Sequence, residues 1–182
     1  MDDGRELYRR FLDGDESAFD EMLRRYFDRL TFFLERFVGD AATAEDIAMD
    51  VFAWVIANPK HYNFKTSPKT YLFMLAKSRA LNYIKRRDRF RTVLPEDAEG
   101  ELTEREAPED AVLLTERNRE LNAALDTLAE DMRLAVHLVY FEEMSYAEAA
   151  KVMHKTKKQV DNLLSRAKRE LRKILEAKGV TI

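Results

Sequence analysis

Lys157, Lys158, Gln159, Asn162, Ser165, Arg166, Lys168 and Arg169 gather cations, amides and a hydroxyl into one short stretch near the C-terminus. Their chemistry is hydrogen bonding and charge neutralisation rather than bond making. Gln159 and Asn162 suit the donor and acceptor pair of adenine, Arg166 suits guanine or a phosphate, and lysines suit phosphate oxygens. Which of them meets a base is open at this point. A second set mixes aromatics, amides and cations: His61, Tyr62, Asn63, Phe64, Lys65, Tyr71, Lys77, Arg79, Asn82, Lys85, Arg86 and Arg87. Such a mixture holds single-stranded DNA, because bases stack on rings at roughly 1–3 kcal/mol each while cations follow the phosphates. A third set, Asp46, Met49, Asp50 and Ala53, recurs at helical spacing as an acidic stripe with an apolar centre, which suits a basic helical partner.

Bond-making sites are not expected. The chain has no Cys, and its histidines, His61, His137 and His154, are scattered without a His-x-x-x-His pair. Glu142 and Glu143 sit at a helix end beside no other ligand candidate, and His137 reads as a surface or half-buried residue. There is no glycine-rich phosphate loop or serine elbow. Neither a metal nor a cofactor is therefore called for.

Helices must position these sets. With 36% charged residues, 46% hydrophobic residues, five Gly and four Pro in 182 residues, the composition is that of amphipathic helices. Phe19, Met22, Leu23, Tyr26, Leu30, Phe33, Leu34 and Phe37 recur at steps of three and four, predicting a helix from Ser17 to Phe37. Gly39 and Asp40 end it, and Thr43 can cap the next, whose inner face is Ala44, Ile47, Ala48, Val51, Phe52 and Val55. Pro59 and Pro68 bracket a loop, and helix resumes near Thr70 and runs to about Arg87. A short helix at Glu6 to Leu12 completes the first bundle. Further helices are expected over Val112 to Leu128, Asp131 to Phe141, Tyr146 to Met153 and Lys157 to Ala177.

Ser145 and Glu148 form a capping box, Ala147, Ala149 and Ala150 keep the helix behind it thin, and Thr156 can cap the helix that follows. Two helices meeting through His154-Lys155-Thr156 in this way make a helix-turn-helix, whose second helix enters the major groove. Val160, Leu163 or Leu164, Ala167, Leu171 and Ile174 would then face inward.

The net charge of −3 is low for a nucleic-acid binder, but the charges are segregated. Lys77 to Arg91 holds seven cations against one acid, and Lys151 to the end holds ten against three. Between them, Glu96 to Asp110 holds eight acids and one cation, a linker by composition. No run of about 18 apolar residues occurs and the N-terminus lacks a signal-peptide pattern, so membrane insertion is not expected and a cytoplasmic location is.

Three stretches resemble the small extracytoplasmic-function sigma factors, which direct bacterial RNA polymerase to promoters. Ala44-Glu45-Asp46-Ile47-Ala48-Met49-Asp50-Val51-Phe52 looks like that family's polymerase-binding helix. Thr70 to Asn82 is similar to the helix that melts and reads the -10 element. Ser145 to Ala150, followed by Val160 to Lys168, looks like the helix-turn-helix that binds the -35 element. The resemblance implies an all-α protein with a region 2-like domain over 1–93, an acidic linker over 94–111 and a region 4-like domain over 112–182. It implies polymerase contacts at Asp46, Met49, Asp50 and Phe52, and a pocket for a flipped base among Tyr62, Asn63, Phe64 and Asn82. Core polymerase, promoter DNA and an anti-sigma factor are the partners it implies. His154, Lys155, Asp161, Tyr71 and Lys77-Ser78 depart from the family's usual residues and leave the promoter sequence open. A helix-turn-helix regulator without a polymerase role is the alternative.

Overall fold

The protein is described here by a computed structural model over residues 4–93 and 121–177. These residues form helices and turns, with no strand among them, and the chain divides into two compact units. The acidic segment 94–111 and residues 112–120 of the helix expected from Val112 lie outside the described residues.

In the first unit α1 (Arg5–Leu12), α2 (Glu16–Val38), α3 (Ala41–Ala57) and α4 (Pro68–Val93) pack around α2, which touches the other three. The period of α2 explains this. Met22, Tyr26, Leu30, Phe33 and Leu34 are buried on one face, and Phe33 stacks obliquely on Phe73 of α4 at 4.9 Å between centroids. All six residues of the inner face expected for α3 are buried. Gly39 ends α2 in the left-handed region, at φ 75°, where a side chain is disfavoured. The cap of α3 is Asp40 rather than Thr43: Asp40 Oδ2 accepts from the Thr43 backbone N–H at 2.7 Å. Asp40 follows the Gly39 stop directly, so the new helix starts as early as its cap allows. Its hydrogen bonds from Thr43, side chain first and backbone next, hold the Asp40 carboxyl below the usual aspartate range.

The second unit contains a helical stretch at 121–126, α5 (Glu130–Val136), a π-helical turn over His137–Phe141, α6 (Tyr146–Met153) and α7 (Lys157–Ala177). The helix expected from Asp131 to Phe141 is thus interrupted in its last turn. α7 packs on both α5 and α6. Ala149 and Ala150 are buried at the α6 surface, and Val160, Leu164 and Ala167 are buried on α7. Leu164, not Leu163, is the deeper of the two leucines.

His154 occupies the left-handed region at φ 55°, ψ 43°, where a turn glycine would be at ease. The next amide, Lys155 N–H, donates to Ala150 O at 2.9 Å and closes the helix end. Lys155 also explains its own departure from an apolar residue: its Nζ lies 2.9 Å from Asp131 Oδ2, tying the turn to α5. Two substitutions test these helix ends with opposite signs. Ser145→Ala removes a capping box and should cost about 1 kcal/mol, whereas His154→Gly should stabilise by roughly 0.5–1 kcal/mol through relief of the left-handed backbone. Denaturant unfolding followed by far-ultraviolet circular dichroism reads both, and a destabilised His154→Gly would contradict the turn geometry.

Candidate nucleic-acid interface

Two caps set the start of the helix-turn-helix. Ser145 Oγ accepts from Glu148 N–H at 3.3 Å while Glu148 Oε2 accepts from Ser145 N–H at 3.0 Å. Thr156 and Gln159 repeat the device: Thr156 Oγ1 accepts from Gln159 N–H at 3.2 Å, and Gln159 Oε1 accepts from Thr156 N–H at 2.8 Å. A threonine followed three residues later by glutamine is the sequence signal for this second box. It gives Gln159 a structural task and engages the amide oxygen that adenine pairing would use. Lys157, Lys158, Gln159, Asn162, Ser165, Arg166, Lys168 and Arg169 are all exposed. Burial of Val160, Leu164 and Ala167 turns Lys158, Asn162, Ser165, Arg166 and Arg169 to the opposite side, since each residue advances about 100°.

Lys168 stands at the edge of that face. Its Nζ lies 5.5 Å from the centre of the Tyr140 ring, and Tyr140 belongs to the π-helical turn. A hydrogen bond with the Tyr140 side chain, then charge interaction with Tyr140, raises the Lys168 pKa above its ordinary value. Deeper in this unit, His137 and Glu142 are both buried, with Nε2 and Oε1 3.7 Å apart and the Phe141 ring stacked on the imidazole. This overturns two expectations, that His137 is at or near the surface and that Glu142 lacks a neighbour. The π-turn brings residues five apart together, a pairing that the normal helical period does not anticipate.

In the first unit an aromatic cluster holds the loop between α3 and α4. Tyr62 is buried, and its ring centre lies 4.5 Å from that of Tyr8, 4.6 Å from Phe64 and 5.0 Å from Tyr71. The Tyr62 hydroxyl donates to Thr66 O, and the Tyr8 hydroxyl donates to Pro59 O at 2.9 Å. Burial pushes the Tyr8 phenol up, and burial likewise pushes the Tyr71 phenol up to about 12, opposed by Arg79. Phe64 has φ 58°, a strained setting for a bulky side chain, and its ring is covered by the Arg9 guanidinium at 5.4 Å. Asn63 Oδ1 accepts from Lys65 N–H at 3.1 Å, which turns the chain. α4 then begins two residues earlier than expected, at Pro68, with Ser67 Oγ accepting from Thr70 N–H at 3.2 Å.

Of the residues expected to form a pocket, Tyr62 and Phe64 pack together and Asn63 turns the chain beside them. The Tyr62 ring is enclosed by aromatic neighbours. Asn82 is exposed on α4, about 16 Å along the axis from Tyr71 at 1.5 Å per residue. Trp54, missed by sequence reasoning because it lies on α3, does face this region. It meets His61 edge-on at 4.9 Å, Tyr71 at 6.5 Å and the Arg79 guanidinium at 5.9 Å. Tyr71 and Arg79 are half-buried there, as is Lys77 on the same helix, while Lys65, Lys85, Arg86 and Arg87 are exposed. Arg87 also donates to Val38 O at 3.3 Å, closing the end of α2.

On α3, Asp46, Met49, Asp50 and Ala53 are exposed as expected, and Ile56 extends the stripe. Met49 and Ile56 are each 53% exposed. Phe52 is corrected: it is 2% exposed and packs edge-on to Phe19 at 6.0 Å, so it supports the helix from inside and offers no contact surface. Its place on the inner face of α3 was already given by the helical period.

Comparison with known proteins agrees with both units. The family model for Sigma-70 region 2 matches residues 22–90, and that for Sigma-70, region 4 matches residues 118–171. The RNA polymerase sigma-H factor of Pseudomonas aeruginosa is 31% identical over 179 residues, covering 94% of this chain and 93% of that protein. The chain belongs to the extracytoplasmic-function sigma factors. The ECF RNA polymerase sigma-E factor of Haemophilus influenzae is 27% identical over 155 residues, 81% of this chain and 82% of that one. A solved structure of the sigma factor RpoE with the anti-sigma factor NepR from Bartonella quintana shares the fold, with TM-score 0.65 and 19% identity over 87% of this chain and 96% of that one. A sigma factor directs RNA polymerase to promoters and starts transcription there.

Trp54 is the only tryptophan of this sigma factor and therefore reports on the cluster alone. Arg79→Ala should shift its emission to longer wavelength by uncovering the indole to water, with helical content unchanged. An unaltered spectrum would count against the stack.

Proposed function

We propose that this sigma factor docks on core polymerase through the α3 stripe of Asp46, Met49 and Asp50, and grips its promoter at two places. Residues 1–93 take the -10 element and residues 112–182 the -35 element, with the acidic segment 94–111 joining them. The observation that carries the polymerase assignment is the exposure of Met49 between Asp46 and Asp50, with exposed Ile56 extending the apolar stripe two turns on, on a helix whose other face is fully buried. An apolar stripe flanked by acids suits a basic, amphipathic helical partner. Neither residue contributes to the core.

At the -10 end, exposed His61, Asn63 and Lys65, half-buried Phe64, Tyr71, Lys77 and Arg79, and exposed Asn82, Lys85, Arg86 and Arg87 remain the contact residues proposed for the opened strand. Trp54 joins them, and Tyr62 is their support. At the -35 end, Lys157, Lys158, Asn162, Ser165, Arg166, Lys168 and Arg169 face the duplex, with Gln159 mainly a cap. The protein performs no bond chemistry itself and works where polymerase works, in the cytoplasm. An anti-sigma protein that covers the α3 stripe would hold it inactive, as the sigma factor RpoE is seen in complex with the anti-sigma factor NepR.

Charge reversal at Asp50 tests the docking face. Asp50→Lys should lose retention of core polymerase in a pull-down while keeping its circular dichroism spectrum, because the residue is exposed; normal retention would sink the assignment. In vitro transcription with core and a genomic library tests the function and returns the promoter. A gel shift separates the regulator reading: tight duplex binding by the chain without core favours a free-standing regulator. At the other end, Arg166→Ala should weaken duplex binding and lower the magnitude of the salt slope by about 0.9 for one lost phosphate contact.

A further inference from the structure

α7 is longer than the part of a helix that a major groove admits. Lys157 and Lys168 lie on nearly one stripe of it, because 11 steps of about 100° close three turns to within about 20°. At 1.5 Å per residue they are about 16 Å apart along the axis, against a groove about 12 Å wide. With the N-terminus of α7 at the base edges, Lys168 stands at the wall of the groove, where the phosphates are. This placement rests on the reading of α7 given above.

Lys168 is not a loose cation on that wall. Its ammonium is seated beside the ring of Tyr140, which the π-helical turn delivers from outside the helix-turn-helix. Tyr140 is 49% exposed, yet its backbone is fixed, since His137 and Leu138 of the same turn are buried. A lysine loses rotamer freedom when it settles on a phosphate, and prior seating on an aromatic ring removes part of that loss. Seating on the ring leaves the Tyr140 hydroxyl its own proton to donate. Asp161 and Tyr146 also act on the same ammonium, and Asp161 would repel a phosphate, so the tyrosine is the neighbour that keeps the lysine available.

We propose that Tyr140 and Lys168 form a composite site for a backbone phosphate of duplex DNA, Lys168 supplying the charge and Tyr140 a rigid seat and a second donor. The contact is sequence-independent, because phosphates carry no base information. It widens the duplex-binding surface beyond the helix-turn-helix and makes Tyr140 a positioning residue as well as a contact.

The full chain with core polymerase, and a duplex selected by the wild type from a random library, provide the test. Affinity is measured against salt for Tyr140→Phe, Lys168→Ala and the double variant, all exposed changes checked by circular dichroism. Lys168→Ala should weaken binding and lower the magnitude of the salt slope by about 0.9. Tyr140→Phe should weaken binding about threefold or more with the slope unchanged, since no charge is lost. The double variant should be no weaker than Lys168→Ala to within about twofold, because the two act on one phosphate. Wild-type affinity in Tyr140→Phe, or losses that multiply in the double variant, overturns the composite site. Arg166→Ala separates the two levels: if it weakens binding while Tyr140→Phe does not, only the composite site fails. If Arg166→Ala is also silent, or no duplex is selected, the reading of α7 fails with it.

Discussion

Burial of one stripe on a helix fixes what the opposite stripe offers, and the exposed faces of α3 and α7 depend on that constraint. On α7, Val160, Leu164 and Ala167 are locked inside, which leaves Asn162, Arg166 and Arg169 no orientation but outward. On α3, six buried residues leave Asp46, Met49 and Asp50 outside. The small side chains Ala149 and Ala150 matter for the same reason: they let α7 approach α6 closely enough for its apolar stripe to be sealed. A bulky residue at either position would turn or lift α7 and re-aim its polar face without touching a polar residue. Recognition here is a consequence of packing before it is a matter of charge.

That dependence explains what could be read in advance. Helix existence, the capping box at Ser145, the inner faces of α2 and α3, and the outward set on α7 are local or periodic, so the sequence states them directly. The left-handed setting of His154 is not periodic and is suggested only by the resemblance, whose usual residue at that turn is a glycine. The failures share one cause, an arrangement that repeats with no fixed spacing. Trp54 meets Arg79 from another helix, and His137 meets Glu142 through a π-turn. Phe52 is instructive in a different way. Periodicity placed it inside and resemblance placed it at an interface, and the burial term won, as expected when a Phe side chain removed from water gains about 1.5–3 kcal/mol.

The loop between α3 and α4 shows how a strained segment is maintained. Phe64 holds a backbone angle costing on the order of 1–3 kcal/mol, and it persists because the surroundings over-determine it. Tyr62 and Tyr8 pack on its ring, Arg9 covers it, and Arg5 Nε donates to Thr66 O at 3.4 Å. α1 contributes most of these supports. A helix only eight residues long, which could not stand alone in water, thereby serves as the clamp for the loop.

Segregation of charge, finally, reconciles an acidic chain with a polyanionic partner. A net charge of −3 gives no long-range pull toward DNA, and at physiological salt fields fade within about 8 Å. Only cations already brought to the phosphates count. Lys85, Arg86 and Arg87 on α4, and Lys158, Arg166 and Arg169 on α7, are exposed in two separate units, so each unit alone commands few phosphate contacts. Few contacts mean modest affinity and a shallow salt slope for either unit alone. Tethering changes this, because once one unit is seated the second binds at the effective concentration set by the connecting segment. A partner that seats both units at once therefore supplies what the net charge withholds.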